Sequence, residues 1–145
     1  MGKVIIMDWL RKEANICNLN IMIDFIIENL RKDVKVTKHV DMEIRLVCEE
    51  ALMNIINYAY PKGHGEMIAG YEYDKENNCL TLKVCDYGIE FNPIKENNPD
   101  ITSDIMERSI GGLGIFLLKK ISDIIEYERR ENMNVLTIKK HYQSL

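Results

Sequence analysis

One stretch of the sequence spaces a carboxylate and two amides so that they could act together. Glu50, Asn54 and Asn57 recur at i, i+4 and i+7, a spacing that would align them along one side of a helix. A carboxylate and an amide one helical turn apart can jointly address a hydrated metal ion and a nucleophile. The alternative is a second, solvent-facing polar stripe without a chemical role.

A glycine cluster is the second candidate. Gly111, Gly112 and Gly114 precede an apolar segment, Ile115–Ser122, that is expected to form a helix. The free N–H groups at the start of a helix can hold a phosphate, and glycine allows the backbone to approach an anion closely. The alternative is a flexible hinge before a core helix.

The third candidate is a carboxylate at the end of a predicted strand. Asp86 follows the apolar run Leu80–Cys85, and Gly88 comes two residues later. A buried carboxylate in this position could accept a hydrogen bond from an amino group. The alternative is an ordinary turn after a strand, because Asp and Gly are common turn residues.

The elements that would position these residues follow from the spacing of the apolar side chains. We predict strands and helices in the order β, α, α, β, β, loop, α, β, β, over the following segments: Lys3–Trp9, Asn15–Arg31, Val40–Ala59, Glu66–Tyr73, Leu80–Asp86, the polar loop Asn92–Ile110, Ile115–Ser122, Ile124–Arg130 and Asn134–His141. Because the strands lie mainly in hairpins, this order predicts an α+β two-layer sandwich. The loop has the composition of a mobile lid.

Length and composition limit the class of protein. The 145 residues, 46% of them apolar, are expected to form a single domain over residues 1–145. No apolar run approaches the roughly 20 residues that span a bilayer, and Met1–Leu10 lacks a signal-peptide pattern, so we expect a cytoplasmic protein without a membrane partner. The four cysteines form no CxxC pair, and a net charge of −4 argues against a nucleic-acid partner.

Taken together, the three candidates resemble the ordered sequence boxes of the GHKL, or Bergerat-fold, ATPase family. Glu49–Tyr60 is similar to the helical box of that family, Asp86–Pro93 to its adenine-loop box, and Gly112–Gly114 to its lid-end glycine box. Further along, Ile115–Asp123, Tyr127 and Leu136–Lys139 resemble the branch of serine kinases that act as anti-sigma factors. The resemblance implies a mixed, mainly antiparallel sheet covered by helices on one face.

The resemblance also implies roles for individual residues. Asp86 would recognise the adenine amino group of ATP, Asn54 would bind Mg²⁺, and Glu50 would be the general base of a serine/threonine protein kinase. The nucleotide would also contact the other box residues, which are Gly88, Gly112, Leu113 and Gly114. The implied partners are a STAS-type anti-anti-sigma protein and a sigma factor, which would bind in a mutually exclusive way.

The sequence departs from the family pattern at three places. Glu90 replaces a second glycine of the adenine-loop box, and Arg108 lies four residues before Gly112, further than the arginine of related kinases. Met133–Asn134–Val135 replaces a Gly-Thr-Thr type of segment, and we assign it no nucleotide contact. Two rival functions remain open, and the oligomeric state, monomer or homodimer, is open as well.

The first rival is a non-catalytic module that uses ATP only to set the conformation in which it sequesters a protein. Retention of both Glu50 and Asn54 argues for chemistry instead. The second rival is the catalytic domain of a histidine kinase. No upstream helix carries a phosphoacceptor histidine, and His39 is expected to be exposed in a polar connection.

Overall fold

The computed structural model describes residues 7–96 and 110–145. The strands in these ranges are β1 (Asp8–Glu13), β2 (Glu66–Asp74), β3 (Cys79–Asp86), β4 (Ile124–Arg130) and β5 (Met133–His141). The helices are α1 (Leu19–Leu30), α2 (Lys38–Asn54), the short α3 (Pro93–Glu96) and α4 (Ile110–Ile121). A 3₁₀ turn, Ile16–Asn18, precedes α1, and a π-helical segment, Ile55–Ala59, continues α2.

The five strands form one sheet in the order β1-β2-β3-β5-β4. Every neighbouring pair of these described strands is antiparallel, so the parallel pairing implied by a mixed sheet is not found among them. The predicted α+β two-layer class is confirmed. Because β3 is central, its last residue has neighbours on both sides: Asp86 pairs with Met67 of β2 and with Asn134 of β5.

The core lies between one face of the sheet and the helices. Apolar residues recur at helical spacing in α1, where Met22, Ile26 and Ile27 are almost fully buried. Alternate residues of the central strands, including Leu82 and Val84, meet them from the sheet. On the opposite face of the sheet a smaller cluster consists of Ile68, Cys85 and Val135.

The second helix begins at a capping residue and continues into a π-helical segment. The Thr37 side chain accepts a hydrogen bond from the Val40 N–H at 3.2 Å and so caps the first turn of α2. The predicted apolar face is buried, with Ile44, Val47 and Leu52 in the core. Helical structure continues to Ala59 as predicted, but its last five residues form the π-helical segment.

Helix α4 begins earlier than the sequence predicted. The predicted helix starts at Ile115, whereas the structure starts it at Ile110, so the glycine cluster lies inside the first turns of α4. Glycine costs about 1 kcal/mol in a helix interior, and burial of the apolar face of α4 outweighs this, since Ile115 and Leu118 are fully buried.

The predicted loop Asn92–Ile110 is described only at its two ends. Its first part contains α3, and its last residue belongs to α4. Residues 97–109, including Arg108, lie outside the described residues. Within the described ranges, no helix combines the length and the apolar character needed to cross a membrane.

Candidate functional site

A cavity lies between α2, the ends of the central strands and the segment after β3, and it encloses about 390 Å³ of empty space when its open mouth is included. The wall is mainly apolar with a few polar groups, as small-molecule sites require. Two of the predicted site residues, Asn54 and Asp86, line it. The complete lining is Ala51, Asn54, Ile55, Ala59, Val84, Asp86, Phe91, Pro93, Tyr127, Asn134 and Leu136.

Asp86 is a buried carboxylate, and one of its two oxygens already accepts hydrogen bonds within the protein. Its Oδ1 accepts hydrogen bonds from the Gly88 N–H at 2.8 Å and from Asn134 Nδ2 at 2.9 Å. The residue is only 6% exposed, and burial raises the pKa of Asp86, although these two bonds and the nearby Arg129 partly oppose the shift. No described residue donates to Oδ2, which leaves that oxygen as an acceptor for a ligand.

Asn134 holds this carboxylate in place, although no role was predicted for it from the sequence. Its Nδ2 donates to the Ile89 carbonyl at 2.7 Å as well as to Asp86. Its Oδ1 accepts from the Tyr127 hydroxyl at 2.5 Å and from the Phe91 N–H at 3.4 Å. Two donors therefore fix the orientation of the amide. A polar residue between the apolar Met133 and Val135 is the one signal that the sequence offered.

The loop after Asp86 is anchored on the π-helical end of α2. Gly88 lies so close to the backbone of Ala59 that a Cβ on Gly88 would overlap the Ala59 carbonyl. The Ile89 N–H donates to that same carbonyl at 3.0 Å, and Arg129 Nη1 donates to the Gly88 carbonyl at 2.9 Å. Gly88 is thus required for close approach of two segments of backbone.

The substitution at Glu90 is compatible with this loop. Among the described residues, Asn78 and Glu131 are the non-glycine positions with positive φ. The backbone at Glu90 therefore adopts a conformation open to any residue, and no second glycine is needed there. Nearby, the Phe91 ring in the cavity wall stacks on Tyr58, with centroids 5.4 Å apart and planes at 27°.

The predicted polar stripe on α2 divides into two parts. Asn54 faces the cavity at 8% exposure, and its Nδ2 is buried without a hydrogen-bond partner among the described residues. Glu50, one turn earlier, is half-buried. Asn57 is exposed, because the π-helical segment changes the angular spacing after Asn54 and turns it away. The structure therefore brings Glu50 and Asn54 together and leaves Asn57 outside.

Two neighbours define the surroundings of Glu50. Desolvation is the main cause that raises the pKa of the Glu50 carboxyl, and the negative charge of Glu49 adds to it. Gly114 of α4 is buried, and a Cβ placed on it would overlap the Glu50 carboxylate. Gly112 and Leu113 lie in the first turns of the same helix, and the Leu113 side chain is outside the described part.

Several known proteins are similar to this chain. Serine/threonine-protein kinase BtrW of Bordetella bronchiseptica is 26% identical over 98 residues, which are 68% of each chain. Serine-protein kinase RsbW of Bacillus mycoides is 30% identical over 104 residues, covering 68% of this chain but 64% of that protein. Among solved structures, the histidine kinase AdeS of Acinetobacter baumannii has a TM-score of 0.47 at 13% identity, over 92% of this chain and 68% of its own.

A family model supplies the assignment. The model for the histidine kinase-like ATPase domain matches residues 13–140, which is most of the sequence. The matched range includes the three segments in which the resemblance was found, around Glu50, Asp86 and Gly114. The family resemblance stated from the sequence is thereby confirmed. The chain belongs to the histidine kinase-like ATPase domain family.

Proposed function

We propose that the chain is an ATP-dependent serine/threonine protein kinase that acts as an anti-sigma factor and phosphorylates a STAS-type anti-anti-sigma protein. The observation that carries the proposal is the placement of Glu50 one helical turn before Asn54, which lines a cavity together with Asp86. The names of the related serine and serine/threonine protein kinases support the same reaction class. A sigma factor would be the second, mutually exclusive partner.

The adenine of ATP would occupy the cavity beside Asp86. Its exocyclic amino group would donate to Oδ2, the oxygen that receives no hydrogen bond from a described residue. Apolar walls such as Val84 and Leu136 would contact the flat faces of the base. The Asn134 amide would keep Oδ1 engaged, so that the carboxylate presents a fixed acceptor.

The residues present are compatible with magnesium supplied together with the nucleotide. The Asn54 amide has a buried nitrogen without a partner among the described residues, so exchanging the positions of its nitrogen and oxygen breaks no described hydrogen bond of that nitrogen and would present the oxygen, a suitable hard ligand. The described residues contain no cluster of three His, Cys, Asp or Glu side chains, so the remaining ligands would be phosphate oxygens and water. When bound, Mg²⁺ would offset negative charge on the transferred phosphoryl group.

Glu50 would act on the hydroxyl of the protein substrate. As the substrate oxygen forms its bond to the γ-phosphorus, the bond from that phosphorus to the β,γ-bridging oxygen breaks and ADP leaves. The hydroxyl proton passes to the Glu50 carboxylate. The raised pKa of Glu50 makes it a stronger base than an exposed glutamate.

Direct transfer would test the function against its rival. The protein is incubated with Mg²⁺ and ATP labelled at the γ-phosphate, with and without a purified STAS-domain protein, and the phosphorylated residue is mapped. The kinase proposal expects label on a serine or threonine of the STAS protein. If the complex forms and ATP is bound but no label is transferred, the non-catalytic sequestering module is the correct function.

Asn54→Ala is expected to remove most of the contribution of Mg²⁺ to ATP binding. The loss should be about 10- to 100-fold in affinity measured with Mg²⁺, as is typical for mutations around bound metals, with little change in EDTA. Titration calorimetry in both conditions measures it. Asn57→Ala is the matched control, since Asn57 is exposed in the π-helical segment that continues α2. An equal benefit of Mg²⁺ in the Asn54 variant and the wild type would contradict the assignment.

The pH dependence of transfer is expected to report the environment of Glu50. The base acts when ionised, so the single-turnover rate should fall as the pH drops through the Glu50 pKa, at a pH above the ordinary glutamate value. Glu49→Gln removes the charge that helps to raise this pKa, so it should move the acid limb to lower pH. Glu28→Gln, on the exposed side of α1, is the control. If the acid limb does not move in Glu49→Gln, Glu50 is not the group whose ionisation produces it.

A further inference from the structure

The resemblance to the GHKL family implies no role for the contact between Gly114 and Glu50. A Cβ on Gly114 would overlap Oε2 and Cδ of Glu50 and would lie 3.1 Å from its Cγ. The end of the Glu50 side chain thus rests directly on the backbone of α4. Helix α4 is held in this position, because its residues Ile115 and Leu118 are fully buried in the core.

Backbone conformation does not explain the glycine. No glycine among the described residues has positive φ, and Gly114 lies within α4, where alanine would be favoured by about 1 kcal/mol. A glycine that lowers the stability of its own helix needs another reason. The space left by its missing side chain is occupied by the Glu50 carboxylate, and this space is the reason that the structure offers.

We propose that Gly114 is a positioning residue for Glu50. The missing side chain of Gly114 leaves a space on α4, and this space holds the carboxylate of the base beside the nucleotide cavity. The inference rests on the proposed kinase function. It assigns Gly114 to the base, whereas the sequence resemblance assigns it to the phosphates. The chemical step is unchanged: Glu50 takes the hydroxyl proton as the substrate oxygen bonds to the γ-phosphorus and ADP departs.

A methyl group at position 114 would move the base and little else. The overlapping atoms belong to the free end of a flexible side chain, so Glu50 can rotate away while both helices stay in place. The heavy atoms nearest to the new methyl group all belong to Glu50, and none belongs to Asp86 or Asn54, which line the cavity. The change should therefore separate catalysis from nucleotide binding.

Gly114→Ala is expected to lower the single-turnover transfer rate by about 100-fold, because a misplacement of about 1 Å in a reacting group can have that effect. The affinity for ATP should be unchanged. The free energy of unfolding should be equal to or higher than that of the wild type, since alanine favours the helix. Calorimetry, denaturant unfolding and a labelled-ATP assay provide the three measurements.

Glu50→Asp supplies the rescue test. Its carboxylate is one methylene shorter, and its carbon would lie near the present position of the Glu50 Cγ, 3.1 Å from a Cβ at position 114, whereas the overlap in the wild type involves Cδ and Oε2. Gly114→Ala should therefore reduce the rate less in the Glu50→Asp background than in the wild type. Equal reduction in both backgrounds would show that Gly114 does not act through Glu50 and would overturn the proposal.

The other outcomes are also decisive. A wild-type rate in Gly114→Ala overturns the proposal, and so does a lower free energy of unfolding, which would make the glycine structural. Loss of ATP affinity in a stable variant overturns it in favour of a phosphate contact. If the wild type itself binds ATP but transfers no phosphate, the kinase function fails, and this is recognised from the wild-type arm before any variant is compared.

Discussion

Asp86→Asn is expected to lower the affinity for ATP by about 10- to 100-fold, the range for a hydrogen bond to a charged group. The new amide can still use its oxygen to accept from Gly88 and Asn134. Its nitrogen then replaces Oδ2 and points a donor at the adenine amino group, which is also a donor. Titration calorimetry with ATP measures the loss, and Asp24→Asn on the exposed side of α1 is an isosteric control.

The stability of the Asp86 variant should move in the opposite direction. Because burial raises the folded-state pKa of Asp86, the folded protein binds its proton more tightly than the unfolded chain does. The stability contributed at this position is therefore present at low pH and is lost as the pH rises through the raised pKa. The permanently neutral amide of the Asp86→Asn variant should make the protein at least as stable as the wild type at pH 7. A variant that unfolds, or that keeps full ATP affinity, would contradict this view of Asp86.

Glu50→Gln is expected to reduce phosphoryl transfer by about 10²- to 10⁴-fold, the usual contribution of a general base. The amide keeps the size of the side chain and removes the group that accepts the proton. ATP affinity should be retained, because Glu50 does not line the cavity that holds Asp86 and Asn54. Labelled transfer to the STAS-domain partner, run beside calorimetry with ATP, measures both quantities.

Glu49→Gln is the matched control for this experiment. It makes the same chemical change one residue away, at an exposed position, and should retain transfer at neutral pH. If Glu50 is catalytic, phosphoryl transfer should fall greatly in Glu50→Gln and not in Glu49→Gln. A sequestering module predicts no transfer by any of the three proteins. A solvent-facing Glu50 predicts wild-type rates in both variants, and that result would end its assignment as the base.

Local patterns were sufficient to predict much of the fold. The apolar face of α2 and the two hairpins follow from periodicities of 3.6 and 2, which depend on neighbours in the sequence. The pairing of Glu50 with Asn54 is local in the same sense, since both lie on one helical turn. The bounds of α4 were not predictable, because burial of Ile115 and Leu118 in the tertiary core extends the helix across glycines that would otherwise favour a break.

Contacts between distant segments account for what the sequence did not reveal. Asn134 meets Asp86 through the register of two paired strands, and register depends on the assembled sheet. The contact of the Glu50 carboxylate with Gly114 depends on how α2 and α4 pack. The spacing of residues within either helix does not specify that packing. The exposure of Asn57 depends on a π-helical segment that apolar periodicity did not indicate. The phosphate roles of Gly112 and Leu113 stay predictions.

The hydrogen bond from Asn134 to Asp86 joins residues that are 48 positions apart in the chain. A partly folded chain in which β5 has not yet joined β3 would carry Asp86 at the end of a strand paired only with β2, without the amide that orients it. With the role proposed for Asp86, such a chain would discriminate adenine from other bases less well. Nucleotide recognition would therefore be complete only once β5 has joined the sheet, and ATP would distinguish such molecules from chains in which β5 is still unpaired. The free energy of binding would then be coupled to the cooperativity of the whole sheet.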